Sequence, residues 1–213
     1  AIAFFMLTGE LMTSATITDR LVALSRALIG RIRGGLAQVN VLVSMFFAGM
    51  NGSVVADTAT VGALVLPAMK KAGYPAAFSA AVTGVSSTIG GIIPPSIMMI
   101  VLANSTEISI AALFAAGIIP GILIGVVIMI INHYFAIKYN FERSDEPFSI
   151  RRAGKELYRS SFALLIPLVL VGSVMGGVAS VVEAGAITAM VALLTGVFVY
   201  RTIKWKECTG AFR

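Results

Sequence analysis

The lysines and arginines of this chain fall into four groups, at residues 20–33, 70–71, 138–159 and 201–213, and the stretches between the groups contain none. Basic residues distributed in this way mark one face of a bilayer, because Lys and Arg are retained on the cytoplasmic side of membrane segments. If all four groups share that face, every interval between them must leave it and return. The composition agrees with a membrane setting. Of 213 residues, 58% are hydrophobic and 12% charged, against about 25% charged in an ordinary globular domain. A net charge of +6 can accompany nucleic-acid binding, but cations confined to the ends of apolar stretches argue for lipid and against nucleic acid. The single cysteine, Cys208, allows no intrachain disulfide and reads as an inert thiol.

The intervals can be taken one by one. Residues 160–200 suit two spans with a turn near 176–183, and residues 72–137 suit two more with an outer loop near 104–109 that holds Glu107 and no cation. Residues 34–69 are the exception. The stretch "FFAGMNGSVVADTAT" at residues 46–60 sets Asn51, Ser53, Asp57, Thr58 and Thr60 beside Gly49 and Gly52. Setting aside residues 49–57 leaves arms of about 22 and 18 Å as helices, neither of which crosses a core of about 30 Å. This predicts a re-entrant helical hairpin over residues 36–71. An irregular tip at membrane depth survives only when buried in protein or facing a water-filled cavity, and polar groups there are usually functional. The simpler alternative is that Asn51 and Ser53 only cap the two helices, as such residues do well.

The next span carries "SSTIGGIIPPSI" at residues 86–97. Paired glycines weaken a helix, and Pro94 and Pro95 lack the N–H it needs. Together they predict a discontinuous transmembrane helix over residues 72–104, with a simple proline kink as the alternative. A hairpin beside a broken helix suits transport. Helix N-termini at mid-depth attract a carboxylate, and freed carbonyls and hydroxyls suit a hard cation such as Na⁺.

The remaining chain divides more simply. Residues 1–12 read as the end of a transmembrane helix whose beginning is missing, since no initiator methionine or basic signal-peptide region precedes Glu10. The chain is therefore expected to be a fragment. Residues 13–35, with Arg20, Arg26, Arg31 and Arg33 among Leu, Ile and Val, read as an amphipathic interfacial helix. Residues 110–137 form a transmembrane helix, 138–159 a solvated cytoplasmic loop, 160–203 two transmembrane helices and 204–213 a cytoplasmic tail. His133 beside Tyr134 and the lone Trp205 read as interfacial residues. Asn51 and Asn104 each open a glycosylation-type triplet, the first of them inside the membrane.

At these residues the sequence resembles a known family. "AGMNGSVVADTATVGALVLPAMKKAGY" followed by "SSTIGGIIPPSI" is similar to the large membrane subunit, of DctM type, of tripartite ATP-independent periplasmic (TRAP) transporters. "LTGELM", "RIRGGLAQVNVLVSMFFAG" and "AGIIPGILIG" extend the likeness over essentially the whole chain. The resemblance implies an all-α membrane protein that is one half of an inverted-repeat, elevator-type carrier. It implies Na⁺-driven uptake of an organic acid, of C4-dicarboxylate or sialic-acid type, across a bacterial inner membrane. A periplasmic solute-binding protein would deliver the solute and a small membrane subunit would brace the large one. Three departures stand out. Asn51 replaces the usual serine of a Ser-Gly-Ser tip, Gly91 replaces a proline at the break, and Ser180-Val181-Val182-Glu183-Ala184 lacks the proline of Thr-Pro-Thr-Glu-Ala.

From convergence at mid-depth, a Na⁺ site is expected between the tip (Asn51, Gly52, Ser53) and the break (Ser87, Thr88, Gly91). Asp57 is expected to hold the tip through hydrogen bonds, with Ser86, Pro94, Pro95 and Ser96 nearby as solute or gating residues. Two other readings compete. One is an ion-coupled anion carrier of another family that works without a binding protein. The other is an intramembrane hydrolase using Ser53, His133 and Asp57, which the sequence places at different depths.

Overall fold

The computed structural model describes residues 2–14, 17–141 and 149–200, and these are helical with no strand among them. Helices α1 (Ile2–Ser14) and α2 (Ile17–Ile29) lead into α3 (Gly35–Asn51) and α4 (Val54–Lys71). Next come α5 (Ala76–Ser87), a 3₁₀ turn at Thr88–Gly91 and α6 (Ile97–Thr106). The chain then forms α7 (Ile110–Lys138), α8 (Ile150–Met175) and α9 (Val181–Leu194), which runs into a π turn at Thr195–Val199. Among the described residues three segments, Ile110–Lys138, Ile150–Met175 and Val181–Phe198, are long and apolar enough to cross a membrane. Cys208, Trp205 and the tail lie outside the described residues.

Helix α3 is the centre of the molecule. Ala37, Val39, Val41, Val43, Phe47 and Met50 are all buried on it, and α1, α2, α4, α5 and α7 pack around it. A helix that buries apolar residues on several faces belongs in such a position. Helix α2 is instead amphipathic: Ile17, Leu21 and Leu24 face inward while Asp19 and Arg26 face out. It ends at Ile29, earlier than the expected 35, because Gly30 and Gly34 break into a turn, with Gly34 at φ 72° against Ala136 of α7.

The polar stretch turns out to be less irregular than residues 49–57 suggested. Only Gly52 and Ser53 leave helical geometry. Gly52 takes a left-handed conformation (φ 59°, ψ 19°), and its N–H donates to the Ala48 carbonyl at 3.2 Å, closing α3. Ser53 is extended, and its hydroxyl accepts the Ala56 N–H at 3.3 Å, opening α4. A left-handed glycine and a serine cap satisfy the orphan groups of both helix ends, so each arm can run right up to the reversal. At about 1.5 Å per residue the arms reach roughly 26 and 27 Å. They lie antiparallel, since Asn40 Nδ2 is 3.7 Å from Met69 Sδ near their bases.

The stretch expected as a loop over 138–159 also needs correction. Helix α8 begins at Ile150, with the Ser149 hydroxyl accepting the Arg152 N–H at 3.4 Å. Its cations therefore sit on a helix that packs against α2, where Ser160 Oγ donates to the Arg20 carbonyl at 3.3 Å. At the far end, Ser180 and Glu183 form a capping box. The Glu183 carboxylate accepts the Ser180 N–H at 2.8 Å, and the Ser180 hydroxyl accepts the Glu183 N–H at 3.3 Å. That reciprocal pair starts α9 without the proline that the family pattern carries.

Candidate functional site at the junction of hairpin and broken helix

The reversal between α3 and α4 rests on the break between α5 and α6. The Ile97 N–H donates to the Gly52 carbonyl at 3.2 Å. A side chain on Gly52 would overlap the Pro95 carbonyl oxygen and lie within 2.9 Å of Ser96 Cα. Gly90 lies against the Ser53 and Val54 backbone, and Gly91 against the Val54 side chain. The break is itself tied: the Ser96 hydroxyl donates to the Gly91 carbonyl at 2.8 Å and accepts the Met99 N–H at 3.3 Å, capping α6. Asn51, buried on the other side of the tip, accepts the Ser53 N–H through Oδ1 at 3.1 Å. Glycines at these points let two main chains meet closely inside an apolar body.

A column of polar side chains fills the space between α3 and the last turn of α5. Asn40 Nδ2 donates to Thr83 Oγ1 at 2.7 Å, and the Ser86 hydroxyl lies 3.3 Å from both Asn40 Oδ1 and Ser44 Oγ. All four residues are buried. Asp57, one turn along α4 from the tip, has no exposed surface, and neither carboxylate oxygen has a hydrogen-bond partner among the described residues. The Ser44 and Ser87 hydroxyls face that carboxylate, and Ser87, also fully buried, has no partner of its own. Asp57 thus makes no side-chain hydrogen bond to the tip that it was expected to hold.

The sequence-predicted residues therefore separate into sets. Asn51, Gly52, Ser53, Gly91, Pro95 and Ser96 meet at the seam. Pro94, buried beside it, turns its carbonyl toward Gly49. Asp57 of α4 and Ser87 of α5 face each other, and Ser86 belongs to the column. Thr88 is exposed, its hydroxyl given to the Val85 carbonyl at 2.7 Å. Asn40, Ser44 and Thr83 went unnoticed in the sequence. Their signal was spacing: Asn40 and Ser44 are four apart on α3, and Thr83, Ser86 and Ser87 lie three and four apart on α5, which puts each set on one helix face. His133 stands on α7 near Gln38, about 20 Å along α3 from the tip, so no Ser53–His133–Asp57 triad is assembled.

A carboxylate is costly to bury unless its charge is compensated. Beside it stand hydroxyls and, at the seam, main-chain carbonyls, which are the oxygen ligands a hard cation takes. Among the described residues no three His, Cys, Asp or Glu side chains gather to bind a metal. The arrangement suits an alkali cation held by neutral oxygens and one carboxylate.

The chain is similar to known proteins along its whole length. The family profile described as "Tripartite ATP-independent periplasmic transporter, DctM component" matches residues 1–213. The chain is 36% identical to a C4-dicarboxylate TRAP transporter large permease protein of Pseudomonas aeruginosa, over 98% of this chain and 48% of that one. It is 36% identical to a sialic acid TRAP transporter large permease protein of Vibrio cholerae, over 95% of this chain and 47% of the relative. A 2,3-diketo-L-gulonate TRAP transporter large permease protein of Escherichia coli is 37% identical over 99% of this chain and 50% of its own length. The chain spans about half the length of these relatives.

Proposed function

Given that this chain belongs to the DctM family of TRAP transporter large permease subunits, a family of membrane transporters rather than enzymes, we propose that it contributes one half of a Na⁺-coupled carrier for a small organic acid. The carrier takes up its solute across the bacterial inner membrane. A periplasmic binding protein delivers the solute, and a small membrane subunit braces the large one. The relatives' solutes, a C4-dicarboxylate, a sialic acid and a diketogulonate, share a carboxylate, and the solute here is of that class. The hairpin of α3 and α4 enters the membrane and leaves it on the same face, and it moves with the broken helix as one body of an elevator.

The observation that carries this reading is the unpartnered Asp57 carboxylate beside the unpartnered Ser87 hydroxyl, both fully buried. Na⁺ binds where the tip meets the break, drawing oxygens from Asn51, Gly52, Ser53, Ser87 and Gly91. Thr88 borders the site, and Asp57 supplies the compensating charge. Na⁺ then ties the reversal to the break, so that the solute carboxylate meets a finished surface near Ser86, Pro94, Pro95 and Ser96 only when the cation is present.

Uptake by the full-length transporter in proteoliposomes, measured against Na⁺ concentration, tests this. Ser87→Ala is the most informative variant because it removes a hydroxyl that makes no hydrogen bond in the structure. It is expected to raise the Na⁺ concentration needed for half-maximal uptake with little loss of stability, and Asp57→Asn is expected to abolish Na⁺ dependence. Unchanged Na⁺ dependence in both variants sinks the site. Uptake that proceeds equally with and without a binding protein removes the tripartite reading.

A further inference from the structure

Helix α8 has 26 residues and is therefore about 39 Å long. That exceeds a hydrocarbon core of about 30 Å, so its first turns stand at headgroup level. One exposed stripe follows the helix inward from there. Arg151, Lys155, Tyr158, Phe162, Leu165 and Leu168 are all exposed and succeed one another at spacings of three and four, which puts them on one side of the helix. Tyr158 and Leu168 are 83% and 68% exposed, so the stripe is bare of protein along its length. It begins with cations, passes an aromatic ring with a polar tip and ends in hydrocarbon. From Tyr158 to Leu168 is about 15 Å along the helix, the depth of one leaflet of a core of about 30 Å.

The head of the stripe lies in an open cleft of about 570 Å³ lined by Ser149, Arg151, Arg152, Lys155 and Glu156. The carboxylate there, Glu156, is engaged by Arg159 at 3.5 Å. Among the described residues Arg151 and Lys155 have neither a carboxylate nor another hydrogen-bond partner. The face of α8 turned toward α2 is different. A cleft of about 540 Å³ there is lined by Asp19, Arg20, Ala23, Glu156 and Arg159, so carboxylates and guanidinium groups balance. Arg20 also lies 3.9 Å over the Tyr200 ring. The protein thus neutralises the cations beside α2 and leaves the two on the outer stripe without an anion.

We propose that this stripe binds a phospholipid with an anionic headgroup. Its phosphate rests on Arg151 and Lys155, its ester level meets the Tyr158 hydroxyl, and one acyl chain lies along Phe162, Leu165 and Leu168. Cations beside a membrane helix attract anionic lipids, and guanidinium matches phosphate oxygens in geometry and charge. Tyrosine favours the boundary between headgroups and hydrocarbon. At the same level Ser160 Oγ donates to the Arg20 carbonyl of α2 at 3.3 Å, and the Tyr200 hydroxyl donates to the Arg159 carbonyl at 3.1 Å. A lipid seated on α8 therefore fixes the height of α2 and of the turn after α9 together with α8.

The test is native mass spectrometry on the delipidated full-length transporter complex, titrated with phosphatidylglycerol, with phosphatidylcholine of the same chains, and with inorganic phosphate. Phosphatidylglycerol is expected to bind most tightly. The Arg151→Gln/Lys155→Gln double variant is expected to weaken it by about 30-fold, at roughly a factor of five per cation. The Arg151→Lys/Lys155→Arg pair keeps both charges and is expected to retain the binding, which separates loss of charge from loss of fold. A benzophenone side chain at position 165 is expected to cross-link to lipid in native membranes. Equal binding of the two lipids, indifference to the Gln pair, or displacement of lipid by inorganic phosphate overturns the proposal. So does capture of a protein segment, in place of lipid, from position 165.

Discussion

Gly52 carries two separate demands, a left-handed backbone and contact with the Pro95 carbonyl oxygen. Gly73 carries only the first, at φ 79° with nothing within 4 Å of an added Cβ. Gly73→Ala should therefore cost about 1 kcal/mol for the left-handed conformation alone. Gly52→Ala should cost a further ~1–3 kcal/mol from overpacking and should suppress uptake. Thermal unfolding of the detergent-solubilised full-length protein checks both, and equal losses would mean that the tip does not rest on the break. Asn40 makes a different case. Asn40→Leu strips Thr83 and Ser86 of their amide partner and should destabilise by about 1–3 kcal/mol, read in the same measurement. In the sequence Asn40 was one polar residue in an apolar run, and its partners Thr83 and Ser86 lie far along the chain. The tip and break residues were legible because Gly, Pro, Asn and Ser punctuate the chain locally. The column was not, because a hydrogen bond between helices leaves no local mark.

Helix α7 shows how an element is fitted to its neighbours. An added Cβ at Gly117 would strike the Ile92 carbonyl oxygen and Met99 Cε, and one at Gly121 would strike the Ile93 side chain. The second obstacle can rotate away; the first is partly main chain. Gly117→Ala should therefore cost about 1–3 kcal/mol, displace the break and weaken uptake more than Gly121→Ala does. Gly172→Ala on α8, with nothing within 4 Å, should instead stabilise by up to about 1 kcal/mol through helix propensity. Thermal unfolding of the three variants ranks them, and a Gly117→Ala protein as stable as the parent would contradict the fit. The start of α8 marks a limit of sequence reading at this scale. Arg151, Arg152, Lys155 and Arg159 looked like solvated loop because their charge masks the pattern that Ala153 and Ser160 follow into the interior.

For the molecule as a whole, the grouping of cations made the return of α4 beside α3 readable. What it misjudged was arm length, since a glycine and a serine cap let helix persist almost to the reversal. Because the arms are antiparallel, residues 33 and 70 lie at the same end of the hairpin. Single cysteines at these positions, in the full-length protein in sealed vesicles, should react with an impermeant maleimide from the same side. Labelling from opposite sides would contradict the hairpin and with it the re-entrant reading.

Helix α3 is fastened to the broken helix at successive heights, by Asn40 to Thr83, by Ser44 to Ser86 and by the Gly52 carbonyl to the Ile97 N–H. A rod pinned to its neighbour at three levels can neither slide nor twist against it. Any stroke this protein makes must swing that pair whole, with the bending confined to the short links that lead into and out of it, at residues 30–34 and 107–109.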